Sequence, residues 1–317
     1  MSGTALITGA YGYIGSIIRS RLESAGWTTV ALVRRPRPGD RAVAWTLSDR
    51  PPADVLDQAD ALVHCAYDFS QRSRSDVWLV NVDGTSALLD SARQAGIPRM
   101  LVLSSMSAYV GTEQLYGQAK LAIEELTIRS GGIAIRPGLV YGSADGGLVG
   151  VLLRFTKLPL VPIIGADARQ FPVLAEDLTG VAVAILEAPS WAPEVFGVAQ
   201  PRPMTFRQIV AALATRAGRR CRFVAVPWHL AHGVLRVAEA TGVRLPLRSD
   251  SVLGLVRPAP FVPPSTAFPN LLNQLSDLGQ EHDHAHRFGR YSDIYAGPLA
   301  VAHQSRGLGP PTDSCAR

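Results

Sequence analysis

Three side chains stand at a spacing that suits proton transfer. Ser105 lies in the run Leu103-Ser104-Ser105-Met106-Ser107, Tyr116 follows eleven residues later, and Lys120 closes Tyr116-Gly117-Gln118-Ala119-Lys120. Residues four apart on a helix share a face, so Tyr116 and Lys120 are neighbours if this stretch is helical. A free tyrosine ionises near pH ~10, and using it near neutrality asks for about 4 kcal/mol of extra phenolate stabilisation. An adjacent ammonium and an oxidised nicotinamide can supply that stabilisation, which makes the tyrosine a general acid/base. A serine at the C-terminal end of a strand then orients a substrate oxygen and donates a hydrogen bond where negative charge develops.

A second constellation points to a nucleotide. Directly after the first apolar run stands Thr8-Gly9-Ala10-Tyr11-Gly12-Tyr13-Ile14-Gly15. Its glycines turn the chain, admit backbone close to a pyrophosphate and let the next helix pack on the sheet; free N–H groups and the positive helix end then face phosphate. About 20 residues on, an acidic residue would hold a ribose 2′-hydroxyl. Here stand Val33, Arg34 and Arg35 instead. Two guanidiniums without a carboxylate favour a 2′-phosphate, so NADP(H) is expected ahead of NAD(H).

These groups need a frame. Short apolar runs at 5–8, 29–33, 42–45, 61–65, 100–104 and 132–136 alternate with helical patterns at 14–24, 77–95 and 114–130. That alternation predicts an α/β fold, a doubly wound parallel (Rossmann) sheet, with chemistry at the C-terminal edge of its strands. Further helices are expected at 148–156, 175–187, 205–217 and 229–241, in a smaller C-terminal substrate lobe. We expect a dinucleotide-binding domain over 1–160, a substrate-binding lobe over 161–257 and a loosely structured tail over 258–317, where prolines cluster.

Together these motifs resemble the short-chain dehydrogenases/reductases of the extended type, the NAD-dependent epimerase/dehydratase family. The resemblance is carried by TGAYGYIG at 8–15, DALVHCAY at 60–67, NVDGT at 81–85, LSSMSAY at 103–109, YGQAK at 116–120 and RPGLVYG at 136–142. It implies that Tyr116 is the catalytic acid/base and Ser105 the substrate-orienting hydroxyl. Lys120 would bind the nicotinamide ribose and lower the Tyr116 pKa. Gly9, Tyr11, Gly12, Tyr13, Ile14 and Gly15 would hold the pyrophosphate, and Arg34 and Arg35 the adenosine end. Cys65, Ala66 and Tyr67 would line the cofactor cleft, with Pro137 and Val140 beside the nicotinamide amide. Asn81 would be a helix residue near the site, and the helices carrying Asn81 and Tyr116 would form a homodimer contact.

The implied reaction is hydride transfer at a secondary alcohol or ketone carbon of a small molecule; in an epimerase or dehydratase the hydride returns. A sugar nucleotide is one candidate substrate. Two departures from the family pattern bear on recognition: Thr46-Leu47 stands where the family often has an acidic residue before a leucine, contacting adenine, and Leu174-Ala175-Glu176-Asp177-Leu178 lacks the family's histidine. The alternative reading, a redox-inert NADP-binding sensor or scaffold, does not need Ser105, Tyr116 and Lys120 together.

Composition narrows the rest. The chain has 317 residues, 47% hydrophobic and 18% charged, with a net charge of +5, enough apolar material for a buried core. No Lys/Arg run provides a polynucleotide groove, so no nucleic-acid partner is expected. Three cysteines, Cys65, Cys221 and Cys315, have no disulfide or metal spacing, which fits a reducing cytoplasm. No metal is expected: the run Glu281-His282-Asp283-His284-Ala285-His286 reads as a polar turn, and Cys221 as a buried thiol in a strand. The first apolar run is broken by glycines and lacks a basic leader, so it is a strand and not a signal peptide. No stretch is long and apolar enough to span a membrane, and none is expected as a partner.

Overall fold

In the computed structural model, which describes residues 3–142, 146–241, 243, 248–273 and 275–276, the first six apolar runs become strands within one residue of their expected limits. These are β1 (Thr4–Thr8), β2 (Thr28–Val33), β3 (Ala42–Ala44), β4 (Ala61–His64), β5 (Arg99–Leu103) and β6 (Ile133–Pro137). β1 and β4 are buried along nearly their whole length, as strands covered on both faces must be. Seven more strands follow: β7 (Leu139–Tyr141), β8 (Leu160–Ile164), β9 (Arg169–Gln170), β10 (Pro172–Leu174), β11 (Val195–Val198), β12 (Met204–Thr205) and β13 (Arg222–Val226).

One sheet runs in the order β11-β6-β5-β4-β1-β2-β3 with every pairing parallel. This is the doubly wound Rossmann arrangement. Its seventh strand, β11, comes from the segment expected in the substrate lobe, so the chain re-enters the sheet after leaving it. The remaining strands make three two-stranded ribbons, β7 with β10, β8 with β13 and β9 with β12.

The helices are α1 (Tyr13–Ser24), α2 (Ala53–Leu56), α3 (Arg74–Val77), α4 (Gly84–Gln94), α5 (Leu115–Arg129), α6 (Gly147–Phe155), α7 (Ala175–Glu187), α8 (Phe206–Arg216), α9 (Trp228–Ala240), α10 (Ser249–Val256) and α11 (Pro269–Leu272). α1 packs with α7. In the main core, Leu88 and Leu89 of α4 and Ile123 of α5 meet Leu6, Leu62 and Val102 of the strands. The helix expected over 77–95 begins with a six-residue π-helical segment, Trp78–Asp83, which carries Asn81. Such wide turns reposition a side chain inside an otherwise regular helix.

The first part of the segment expected to be loose, residues 258–273, is held against β11. Gly197 N–H donates to the Pro263 carbonyl at 2.8 Å, and Phe268 meets Phe196 with ring centroids 5.8 Å apart. The Glu194 carboxylate gathers Ser265 Oγ at 2.6 Å and Thr266 Oγ1 at 2.7 Å. A sheet edge leaves backbone donors and acceptors open, and this segment pairs some of them. Cys315 and the run 281–286 lie outside the described residues. Cys221 sits one residue before β13 and is half-buried, so the expectation of a buried strand thiol is corrected: the strand starts at Arg222.

Candidate active site

The glycine loop joins β1 to α1. Gly9 has φ +65°, and a Cβ there would come within 2.8 Å of the Ala66 backbone nitrogen; at Gly15 it would come within 2.3 Å of the Gly9 carbonyl oxygen. Only glycine fits both places. The helix N-terminus at Gly12 has no side-chain cap and no acidic residue in its first turn. Its leading N–H groups and positive dipole end therefore suit an anion such as a pyrophosphate.

Tyr11 of the same loop donates to Asp40 Oδ2 at 2.6 Å, and the Arg37 guanidinium lies 4.1 Å from the centre of its ring. Arg19 grips the same carboxylate through two bonds of 2.7 and 2.6 Å. Hydrogen bonds from Arg19 and Tyr11 hold the Asp40 carboxyl well below its ordinary range. That carboxylate is therefore engaged by this chain, and it ties the loop after β2 to α1. Arg34 and Arg35 are exposed at the end of β2. Arg34 faces Asp68: burial alone would raise that carboxyl, but hydrogen bonds from Ser70 and Gln71, with the Arg34 charge, hold it low.

Beneath the cleft runs a chain of buried hydroxyls. Thr8 Oγ1 accepts from the Cys65 and Ala66 N–H groups, each at 3.2 Å, so its own proton goes to His64 Nδ1 at 2.7 Å. His64 is then the neutral Nε2–H tautomer, donating to Thr85 Oγ1 at 3.0 Å, which in turn donates to the Asn81 carbonyl at 2.6 Å. Burial and the Lys120 charge push the His64 pKa down to about 3, in keeping with that neutral state. Asn81 completes the support: its Oδ1 accepts from Asp68 N at 2.6 Å and its Nδ2 donates to the Asp68 carbonyl at 3.2 Å. The segment carrying Cys65, Ala66 and Tyr67 is thus fixed from below.

A cavity of about 330 Å³ opens at the C-terminal edge of the sheet. Ser105, Tyr116, Tyr67 and Pro137 line it, as does Phe69, which the sequence reading did not single out. The Ser105 hydroxyl stands beside the Tyr116 phenol and lowers its pKa. Tyr116 meets Tyr67 edge to face with ring centroids 4.9 Å apart, and Phe69 lies 5.5 Å from it. Lys120 is buried behind these rings, its Nζ donating to the Leu103 carbonyl at 2.6 Å and standing 5.1 Å from the Tyr67 ring and 6.0 Å from the Tyr116 ring.

Ser104 points elsewhere. It bonds Glu124, whose carboxylate also takes two bonds from Arg136 at 2.7 and 2.6 Å. Burial pushes the Tyr116 phenol up to about 12, offset in part by the Ser105 hydroxyl, and draws the Lys120 ammonium down to about 8. The protein's own groups therefore hold Tyr116 protonated, and the Lys120 ammonium, with one N–H on the Leu103 carbonyl, stands 6.0 Å from its ring. The neighbouring Cys65 thiol is pushed up to about 12 by burial, which leaves it unreactive.

The far wall belongs to α10 and the residues around it. Asp250 accepts from Leu115 N at 3.0 Å and Tyr116 N at 3.3 Å, capping the helix that carries the tyrosine, and its backbone carbonyl takes Gln114 Nε2 at 2.7 Å. Arg248 donates to the Phe69 and Gln71 carbonyls at 3.0 and 3.4 Å. Neither could be foreseen, because a contact across more than 130 residues leaves no periodicity. Tyr141, wholly buried, Arg154, exposed, and Val140, buried on β7, do not line the cavity. Among the described residues no group of histidine, cysteine and carboxylate side chains could hold a metal ion, and no helix is long and apolar enough to cross a membrane.

A parallel sheet with a glycine loop at its first crossover, and a serine, a tyrosine and a lysine at its C-terminal edge, define a dinucleotide-dependent enzyme of the Rossmann class. Residues 5–157, just under half of the chain, match the NAD dependent epimerase/dehydratase family. It is 26% identical over 236 residues to the ceramide reductase of Caulobacter vibrioides, a match spanning 71% of this chain and 74% of that protein. It is also 31% identical over 156 residues to the UDP-glucose 4-epimerase of Streptomyces lividans, but there the match spans 40% of this chain and only 47% of the relative. Among solved structures, MoeE5 in complex with UDP-glucose and NAD superposes with a TM-score of 0.62 at 24% identity, over 71% of this chain and 85% of that one, a likeness of fold.

Proposed function

We propose that the protein moves a hydride between a nicotinamide dinucleotide and a secondary alcohol or ketone carbon, with Tyr116 transferring the hydroxyl proton. The observation that carries this reading is the placement of Ser105 and Tyr116 together in the cavity wall, with the Lys120 ammonium buried behind them. The first-turn N–H groups after Gly12 and the contact-limited Gly9 and Gly15 fit a pyrophosphate, so Gly12, Tyr13, Ile14 and Gly15 would hold it, with Tyr11 beside them. When bound, the dinucleotide supplies the hydride donor or acceptor and, oxidised, a positive charge in the cleft. Cys65, Ala66 and Tyr67 would line one side of that cleft, with Pro137 and Val140 beside the nicotinamide amide.

The protein's part is positional. Ser105 Oγ accepts from Ser107 N at 3.1 Å and presents its hydroxyl beside Tyr116, so a substrate oxygen between the two receives hydrogen bonds from both. With its phenol held near pKa 12, Tyr116 is the proton donor for carbonyl reduction. Tyr67 and Phe69 set aromatic rings against Tyr116 at that end. The substrate is a small molecule; a sugar nucleotide is supported by the name of the Streptomyces lividans relative, and a lipid alcohol or ketone by that of the Caulobacter one. Arg34 and Arg35, exposed at the end of β2, would favour NADP(H), Arg34 sharing its charge with Asp68. A homodimer would use the helices carrying Asn81 and Tyr116, where Leu79 is 66% exposed.

Fluorescence titration with NADPH and NADH, comparing the wild type with an Arg34→Ala, Arg35→Ala double variant, tests the reading. NADPH is expected to bind at least about tenfold tighter, a gap of roughly 1.4 kcal/mol that the variant erases. Preference for NADH would remove the arginine assignment, and binding of neither would remove the enzymatic one.

A further inference from the structure

The ribbon β8–β13 and the end of α6 form a surface unlike the rest of the molecule. Along β8 the side chains alternate, Val161 and Ile163 inward and Leu160 and Pro162 outward; Leu160 stands in register with Arg222, and Pro162 with Val224. Outward-facing Leu160 is 55% exposed and Val224 47%, and the approach from α6 adds Phe155 at 41% and Leu158 at 45%. Four large apolar side chains in water on adjoining segments exceed the scattered exposure of an ordinary surface. α9, which begins two residues after β13, shows a second stripe, Leu230, Val234 and Val237, each about two-thirds exposed at helical spacing, with Leu235 buried on the other side.

Along the ribbon and its near flanks the charged residues are cations, the first carboxylates in sequence beyond them being Asp167 and Glu239. Residues 146–166 contain two cations and no carboxylate, and residues 206–238 contain six arginines and no carboxylate. Arg154, Lys157, Arg220 and Arg222 are all exposed, and none lines the active-site cavity. They do not serve the ligand bound there.

We propose that this face of the β8–β13 ribbon docks on an anionic lipid surface, with Phe155, Leu158, Leu160 and Val224 entering the headgroup boundary and the four cations meeting lipid phosphates. Peripheral binding of this kind needs apolar area together with cationic attraction, and both are present on the same two strands and their flanks. A second copy docked by two-fold symmetry would set these cations against themselves. The chain beyond residue 276 carries five acidic and four basic residues, a poor complement to an all-cationic face. Docking by this face does not depend on the reaction in the cavity.

The test is flotation of the full-length protein with vesicles of phosphatidylcholine alone or containing about one third phosphatidylglycerol. Binding to the anionic vesicles is expected to be at least about tenfold stronger and to weaken with salt. Arg220→Glu with Arg222→Glu, and separately Leu160→Ser with Val224→Ser, should each cut it about tenfold, since charge and apolar area act together. The same change in net charge made elsewhere, Arg93→Glu with Arg129→Glu on exposed helix faces, should leave most of the binding. Thermal midpoints of the variants establish that they are folded. Equal partition onto neutral and anionic vesicles, equal loss in the Arg93/Arg129 control, or a change of oligomeric state in the ribbon variants by sedimentation would each overturn the proposal.

Discussion

The two parts of the chain that meet at the cavity are built on different plans. Under the N-terminal half, buried polar groups answer one another inside the sheet: Thr8, His64, Thr85 and Asn81 form one chain of donors and acceptors, and Ser104, Glu124 and Arg136 another. The C-terminal part reaches the site with single side chains, Asp250 onto the start of α5 and Arg248 onto the loop at Phe69 and Gln71, while turning apolar and cationic groups outward. A satisfied buried network is costly to disturb, whereas a side chain bonded to an exposed loop can change at little expense. On the proposed function, the reaction falls to the networked half and the shape of the entrance to the other.

The largest expected effect lies in the networked half. Tyr116→Phe should lower kcat by roughly 10³-fold while leaving dinucleotide affinity within about threefold, because it removes the proton and keeps the ring. A variant retaining a tenth of wild-type turnover would break the assignment of chemistry to this residue. Next, Glu124→Ala leaves the Arg136 guanidinium, itself largely buried, without its carboxylate, and should cost about 3–5 kcal/mol of stability in urea unfolding. A loss below about 1 kcal/mol would show the network to be ordinary surface pairing.

Acid titration sharpens the same contrast. His64 binds its proton at about 3 in the folded chain against 6.5 for an ordinary histidine, so between those values the unfolded chain holds the extra proton. Stability is therefore complete above about 6.5 and falls on acidification, by up to about 1.4 kcal/mol per pH unit within that window. His64→Gln should flatten this limb of the stability curve, and an unchanged slope would remove the neutral tautomer from the account. Smallest of all, Asp250→Ala should cost about 1 kcal/mol through loss of a helix cap and raise KM more than it lowers kcat. An equal fall in kcat would mean that the C-terminal part sets the tyrosine's position after all.

How much of this was legible depended on range. The six strands and the long helices of the first half announced themselves because strand burial and helix packing each impose a short period on the apolar residues. The Tyr116–Lys120 pair was legible for the same reason, four residues being one turn. The choice between Ser104 and Ser105 was decided by Glu124 and Arg136, twenty and more residues away. β11 escaped notice because four residues after a proline-rich stretch look the same whether or not they join a sheet. The π-helical segment at Asn81 has no sequence signature of its own, and the direction of the Tyr116 shift follows from burial that no spacing encodes.

What the residues alone determined is the local chemistry: glycines where a phosphate must come close, a tyrosine and a lysine on one helical face, apolar runs long enough for a buried parallel sheet. Tertiary structure alone decided which hydroxyl faces the cavity, which carboxylate caps its helix, and that the Lys120 ammonium donates to the Leu103 carbonyl. The reason is physical. Backbone geometry and side-chain period act within a few residues and are written in order along the chain, whereas desolvation and hydrogen-bond pairing depend on neighbours that only folding brings together.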